Sequence, residues 1–190
     1  LLSLAPLYQA NLIQLDSVII DAKSGLSGAG KNLTDSSHYV NANENVSLYK
    51  LNQHQHIPEI FNNLVTWNTN AKPIQFSTSL IPVNRGIFVS TYAKLAEGIT
   101  FSDVVAAYHQ TYDDKYFVRV LNDGLLPDLH SVVGTNFTDI GLGYNELTHT
   151  LTVVTVIDNL VKGAAGQAIQ NMNHFFGFDE KAGLDLVPIL

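Results

Sequence analysis

A chain of 190 residues is long enough for one domain with a sizeable core. Its formal net charge of -7 and pI near 5.3, with no basic run, argue against nucleic acid as a partner. There is no cysteine, which excludes a disulfide framework and a thiol nucleophile within these residues and points towards a reducing compartment. A hydrophobic content of 46% against 14% charged residues suggests that part of the surface is covered by something else.

Leu1 to about Tyr8 reads as the tail of a helix, with Leu1, Leu4, Leu7 and Tyr8 on one face and Pro6 marking its approaching end. The segment has no basic n-region and is too short to cross a bilayer. Because it begins in mid-pattern, the chain is expected to be a fragment of a longer protein. Val18-Ile19-Ile20 fits a short buried strand.

Asp21 to Lys31 is the most glycine-dense stretch. It nearly matches a Walker A loop through Gly25, Gly30 and Lys31, then fails at Asn32, where a Ser or Thr would be needed to hold magnesium. Its backbone amides beside Ser24, Ser27 and Lys31 suit an anionic ligand, and a mobile surface loop is an equal reading. Residues 32 to 50 are polar and read as a long loop. Triplets starting at Asn32, Asn45 and Asn136 would permit glycosylation only in a secreted chain.

Apolar residues at Ile57, Ile60, Phe61 and Leu64 follow the spacing of one helical face, and Pro58 suits a first turn, so a helix is expected from Ile57 to Trp67. His56 then stands at the helix N-terminus, where the positive end of the dipole disfavours a second proton and leaves the imidazole neutral, as a general base requires. Glu59, one turn on, works against that effect or caps the helix. Capping or packing is the plain alternative for His56. His54, His56 and Glu59 could also offer metal ligands, but no further His or Cys converges nearby and no metal site is expected.

A turn over residues 68 to 73 feeds a half-buried strand at Ile74-Gln75-Phe76, and Leu80 to Ile87 interrupts the sheet before Phe88 to Tyr92 resumes it. Arg85 and Arg119 are the only arginines; an Arg at a strand entry can capture carboxylate or phosphate, or simply pair with an acidic residue. Thr100-Phe101-Ser102-Asp103 resembles a capping box, opening a helix with Val104, Val105, Tyr108 and Tyr112 inward and His109 beside that face. Tyr116 to Val120 reads as a strand, followed by turn signals at Asn122-Asp123-Gly124 and Pro127-Asp128. His130 to Asn136 and Phe137 to Gly143 read as strand, turn, strand. Leu151 to Ile157 is a strand by its β-branched density, and a helix from Asp158 to about Phe176 stops at Gly177.

Several of these stretches together resemble the N-acetyl-gamma-glutamyl-phosphate reductase family. They are Asp21 to Lys31, His54 to Ile60, Ile81-Pro82 with Arg85-Gly86-Ile87, Val133 to Asn136, and Asp158 to Ala168 through Gln170 to Asn173. The resemblance implies an NADP-dependent, cytoplasmic oxidoreductase of arginine biosynthesis that converts an acyl phosphate to an aldehyde through a cysteine thioester. In this family the thiol lies in a Gly-Cys-Tyr-Pro-Thr segment at the start of the helix whose tail begins at Leu1. Residues 1 to 190 would then be one substrate-binding, catalytic and oligomerisation domain, inactive without the N-terminal nucleotide-binding domain.

The implied fold is α+β, a mixed and largely antiparallel sheet with helices packed on one face, like the C-terminal domain of glyceraldehyde-3-phosphate and aspartate-semialdehyde dehydrogenases. Its sheet would pack against a second subunit in a homodimer or homotetramer. By position, His56 is the acid/base partner of the thiol. Ser24, Lys31, His54, Arg85 and Lys162 are expected at the substrate, and Gly163, Gly166 and Asn171 near the nicotinamide. Lys31 replaces the family's usual Arg, keeping charge but not a bidentate fork. An aspartate-semialdehyde dehydrogenase-like domain and a non-catalytic oligomerisation module are the alternatives.

Overall fold

The computed structural model describes residues 1–32 and 34–188. In chain order the elements are α1 (Ala5–Gln9), β1 (Ile19–Gly25), α2 (Tyr39–Ala42), β2 (Ser47–Leu48), α3 (Ile57–Trp67), β3 (Gln75–Ile81), β4 (Ile87–Lys94), α4 (Phe101–Tyr112), β5 (Val118–Val120), β6 (Thr138–Asn145), β7 (Thr150–Ile157) and α5 (Gly166–Phe176). The strands form one sheet in the order β2-β3-β1-β4-β7-β6-β5. β1 runs parallel to β3 and β5 parallel to β6, and the other neighbours are antiparallel, so the sheet is mixed and largely antiparallel as expected.

Register decides which side chains share a face. Ile20 sits opposite both Phe76 and Thr91, Thr91 opposite Val153, and Val153 opposite Leu142, so a row of mostly apolar side chains crosses five strands. Leu7 and Tyr8 of α1, Leu64 of α3, and Val104, Tyr108 and Tyr112 of α4 bury against this row. The capping box opens α4 as anticipated: Thr100 N donates to Asp103 Oδ2 at 2.8 Å and Asp103 N to Thr100 Oγ1 at 3.3 Å. α5 stands apart from this core; it buries only Gly166 and Asn173. Among the described residues no helix is long and apolar enough to cross a membrane.

Several sequence expectations are corrected. Pro6 lies in the first turn of α1 and not near its end, because a residue without a backbone N–H fits where no helical acceptor precedes it. β1 continues through Gly25, since neighbours on both sides satisfy its backbone, so half of the glycine-dense stretch is strand. β3 likewise runs through Ile81, leaving residues 82 to 86 as the interruption. The polar stretch 32 to 50 holds a 3-10 turn at Asp35–Ser37 besides α2 and β2, while Leu33 lies outside the described residues. His130 to Asn136 is a run of turns. Asp128 Oδ1 accepts from Ser131 N at 3.1 Å and Thr135 Oγ1 donates to Val132 O at 2.8 Å, and these local bonds outcompete strand pairing for a β-branched segment.

Candidate active site

The helices cover only part of the inner face of the sheet. Beyond Ile20 and Phe76 that face continues with Ala22, Ser24, Thr78 and Thr155, whose side chains are short. A cleft of about 790 Å³ opens there. Its walls come from distant parts of the chain: Leu1 to Ser3, the His54 to His56 segment with Glu59, Ser27 and Gly28, and Lys162 to Ala164 with Gln167.

The histidine segment is stitched to β3. Tyr49 N donates to Thr78 O at 3.0 Å, Thr78 Oγ1 to Tyr49 O at 2.6 Å, and Asn52 pairs with Phe76 through its N–H and its Oδ1, both at 3.2 Å. Lys50 and Asn52 adopt left-handed backbone, with φ of 46° and 54°, which turns the chain sharply before the histidines. His54 packs edge-on against Tyr49 and Phe76, each with ring centroids 5.7 Å away, and against His56 at 4.9 Å. Its Nδ1 accepts the His56 backbone N–H at 3.3 Å, so a neutral His54 carries its proton on Nε2. Burial, then the charges of His56 and Lys50, hold His54 below the usual histidine range. His56 is exposed, occupies the N-cap position of α3 and makes no side-chain cap bond, so its ring is free to serve the cleft.

Opposite the histidines, three chain crossings meet. The buried Asp158 carboxylate accepts Gly134 N at 2.7 Å, Leu160 N at 2.7 Å and Val161 N at 3.0 Å, and Arg85 Nη2 lies 3.0 Å from its Oδ2. Asn159 Oδ1 accepts Gly86 N at 2.7 Å and its Nδ2 donates to Ser27 Oγ at 2.9 Å. Ser27 Oγ in turn donates to Asn84 O at 2.6 Å, and the stretch becomes a 3-10 turn over Leu26–Ala29. Gly25 is required at this crossing, because a Cβ there would come within 2.8 Å of Asn84 O and 3.0 Å of the Arg85 backbone.

After Asp158 the chain makes a π-type turn over Val161–Ala165 before α5. That turn places Lys162 on the cleft wall at 8% exposure, with Nζ donating to Gln170 Oε1 at 2.6 Å and lying 5.8 Å from the Phe117 ring centroid. Burial lowers the Lys162 ammonium to about 8, and the Glu180 charge pulls it back up.

Of the residues singled out from sequence, Ser24, His54, His56, Lys162 and Gly163 line the cleft together. Lys31 borders a separate hollow beside Ser27 and Asn84. Arg85 is absent from the cleft lining and is committed to Asp158. Gly166 is buried inside the turn, where a Cβ would meet Asn136 Oδ1 at 2.4 Å. Asn171 is exposed on α5 and accepts from Gln167 Nε2 at 2.9 Å, one turn from the wall. Sequence reasoning passed over Thr78, Asn52, Asp158 and Asn159, which build the walls. Only Asp158-Asn159 carried a signal, as a polar pair between a strand and a helix.

A family model described as semialdehyde dehydrogenase, dimerisation domain, matches residues 1–159. An N-acetyl-gamma-glutamyl-phosphate reductase of Lactococcus lactis is 58% identical over 190 residues, covering 100% of this chain and 55% of the relative. One of Staphylococcus epidermidis is 56% identical over 188 residues, covering 99% of this chain and 54% of the relative. The chain therefore spans about half the length of the curated relatives it matches. Aspartate semialdehyde dehydrogenase II from Vibrio cholerae superposes with a TM-score of 0.68 at 15% identity, over 93% of this chain and 58% of that one. The aspartate semialdehyde dehydrogenase of Francisella tularensis gives 0.66 at 17%, over 92% and 61%. At those identities the likeness is one of fold, and it agrees with the expected α+β class.

Proposed function

Since the chain belongs to the semialdehyde dehydrogenase dimerisation-domain family, we propose that it is the substrate-side domain of an NADP-dependent N-acetyl-gamma-glutamyl-phosphate reductase. In this reading the whole enzyme is a cytoplasmic member of arginine biosynthesis. A thiol supplied by the N-terminal half displaces phosphate from the acyl phosphate, and the resulting thioester accepts a hydride and a proton to release the semialdehyde. The thiol has to come from outside these residues, which contain no cysteine; alone they are inactive.

The observation that carries the proposal is the meeting of Leu1 to Ser3 with His54 and His56 in one cleft. A residue joined just upstream of Leu1 would be delivered beside the imidazoles. His56, exposed and uncommitted, keeps the thiol ionised and protonates the developing aldehyde oxygen. His54, with its proton on Nε2, is a hydrogen-bond donor for the substrate. Lys162 offers a cation to one of its anionic groups and Ser24 a hydroxyl, while Lys31, at the neighbouring hollow, contributes charge from further away.

Arg85 acts indirectly in this scheme, holding Asp158 and with it the turn that carries Lys162. When bound, the nicotinamide cofactor supplies the hydride. The exposed Gly163 and Ala164 put little side-chain bulk on that part of the cleft wall, which suits the approach of a flat ring. Gly166 lets the turn close behind it, and Asn171 orients Gln167. The sheet face opposite the helices, with Ile19 and Tyr92 partly exposed, is the surface for self-association.

In the full-length enzyme, His56→Ala should lower kcat by about 100-fold or more with the circular dichroism spectrum unchanged. Near-normal turnover removes His56 from the mechanism, and preferential reduction of aspartyl phosphate replaces the substrate assignment.

A further inference from the structure

The ammonium of Lys162 is held from behind by a chain of polar groups that ends outside the cleft. Gln170 Oε1 accepts from Lys162 Nζ at 2.6 Å and also from Asn136 Nδ2 at 2.9 Å, while Gln170 Nε2 donates to Glu180 Oε1 at 2.6 Å. The amide of Gln170 is therefore oriented with its carbonyl towards the cation and its N–H groups towards the carboxylate, and each bond polarises the other. Glu180 lies beyond α5 in a loop that is itself clasped. Asn173, 1% exposed, donates through Nδ2 to Glu180 O at 3.2 Å and Ala182 O at 2.9 Å, and Leu184 is buried at 2%. Lys162 Nζ meets Gln170 from α5 and the Phe117 ring, both uncharged, Asn136 shares the Gln170 carbonyl, and Glu180 is the ionisable group whose charge acts on the ammonium.

From this geometry we propose that Glu180, acting through Gln170, is a positioning residue that fixes the Lys162 ammonium on the cleft wall, where its remaining N–H groups meet an anionic oxygen of the acyl phosphate. The substrate half of the inference rests on the reductase reading; the relay itself does not. Gln170 takes one of three ammonium donors and the ring of Phe117 offers only a weak partner, so among the described residues the other donors have no hydrogen-bond acceptor, and Lys162 itself lines the cleft.

The test uses the full-length enzyme and two readouts. Trace acetylation with acetic anhydride over a pH series, quantified by mass spectrometry of the Lys162 peptide, reports the protonation midpoint of Lys162 without any turnover. Glu180→Gln should lower that midpoint by about one pH unit, and Gln170→Glu, which sets a carboxylate directly at Nζ, should raise it. At pH 8 Glu180→Gln should raise KM for the acyl phosphate several-fold with kcat little changed. Labelling midpoints that coincide in the wild type and both variants overturn the relay. Shifted midpoints with an unchanged KM in an active enzyme overturn the substrate contact. Shifted midpoints in a wild-type enzyme that reduces no acyl phosphate sustain the relay and discard the reductase reading, so the two failures are distinguishable.

Discussion

Lys162→Met removes a buried charge while keeping an unbranched stem of similar length. Burial lowers the ammonium from 10.5 to about 8, with Glu180 acting in the opposite sense. At about 1.36 kcal/mol per pH unit, that separation of about 2.5 corresponds to roughly 3 kcal/mol of folding free energy. This is an upper limit, because Lys162 borders an open cleft and solvent screens part of the cost. Losing the bond to Gln170 takes back about 1 kcal/mol, and Gln170 Oε1 keeps its partner Asn136.

The sign follows from which state holds the proton more tightly. The unfolded chain does, so the penalty is complete below about pH 8 and fades as pH rises through the interval from 8 to 10.5. Urea denaturation of both proteins over that range should find Lys162→Met the more stable by about 1 to 2 kcal/mol at pH 7, with the advantage gone or reversed near pH 10.5. Other titrating groups cancel in the difference. Equal stability at pH 7, or a gap that does not change with pH, refutes the reasoning.

Asp158→Asn should be costly, because it neutralises the partner of Arg85 and presents amide donors to backbone donors; a loss of about 3 to 5 kcal/mol in urea denaturation is expected, and a loss under about 1 would mean that Asp158 does not hold the crossing. Gly166→Ala and Gly163→Ala make a contrasting pair. The first puts a Cβ 2.4 Å from Asn136 Oδ1 and 2.9 Å from Val161 O and should destabilise by about 1 to 3 kcal/mol, whereas the second, with nothing closer than 3.4 Å, should be near neutral; similar melting temperatures for the two would contradict the packing of the turn. For His54, held low by burial, the folded state binds a proton less tightly than the unfolded chain, so stability is lost as pH falls below about 6.5. His54→Phe suits the same aromatic surroundings and should gain on the wild type between pH 7 and 5. Parallel pH profiles would reject that account.

Much of the candidate site is legible in the amino-acid sequence. Pro58 and the apolar spacing after His56 locate the start of α3 and so the N-cap position of His56, and the β-branched run from Leu151 locates β7, because both patterns depend on neighbours within a turn or a pleat. The resemblance carried by Asp158 to Asn173 implied Lys162 at the substrate and Gly163 near the nicotinamide, and both line the cleft. For Arg85 the sequence offered anion capture and pairing with an acidic residue alike, because nothing local identifies Asp158, 73 residues later, as its partner.

By itself, then, the amino-acid order determined α3, α4, the last helix α5, the strand β7 and the acidic, cysteine-free composition. Those properties are local or additive along the chain. Tertiary structure alone decided that β1 lies between β3 and β4 and that Asn159 reaches Ser27, 132 positions away, to shape the cleft. It also decided that a carboxylate beyond α5 stands behind Lys162. Such pairings depend on how strands twist and cross to bury apolar surface, and no short window of residues encodes the distance between two side chains that the fold brings together.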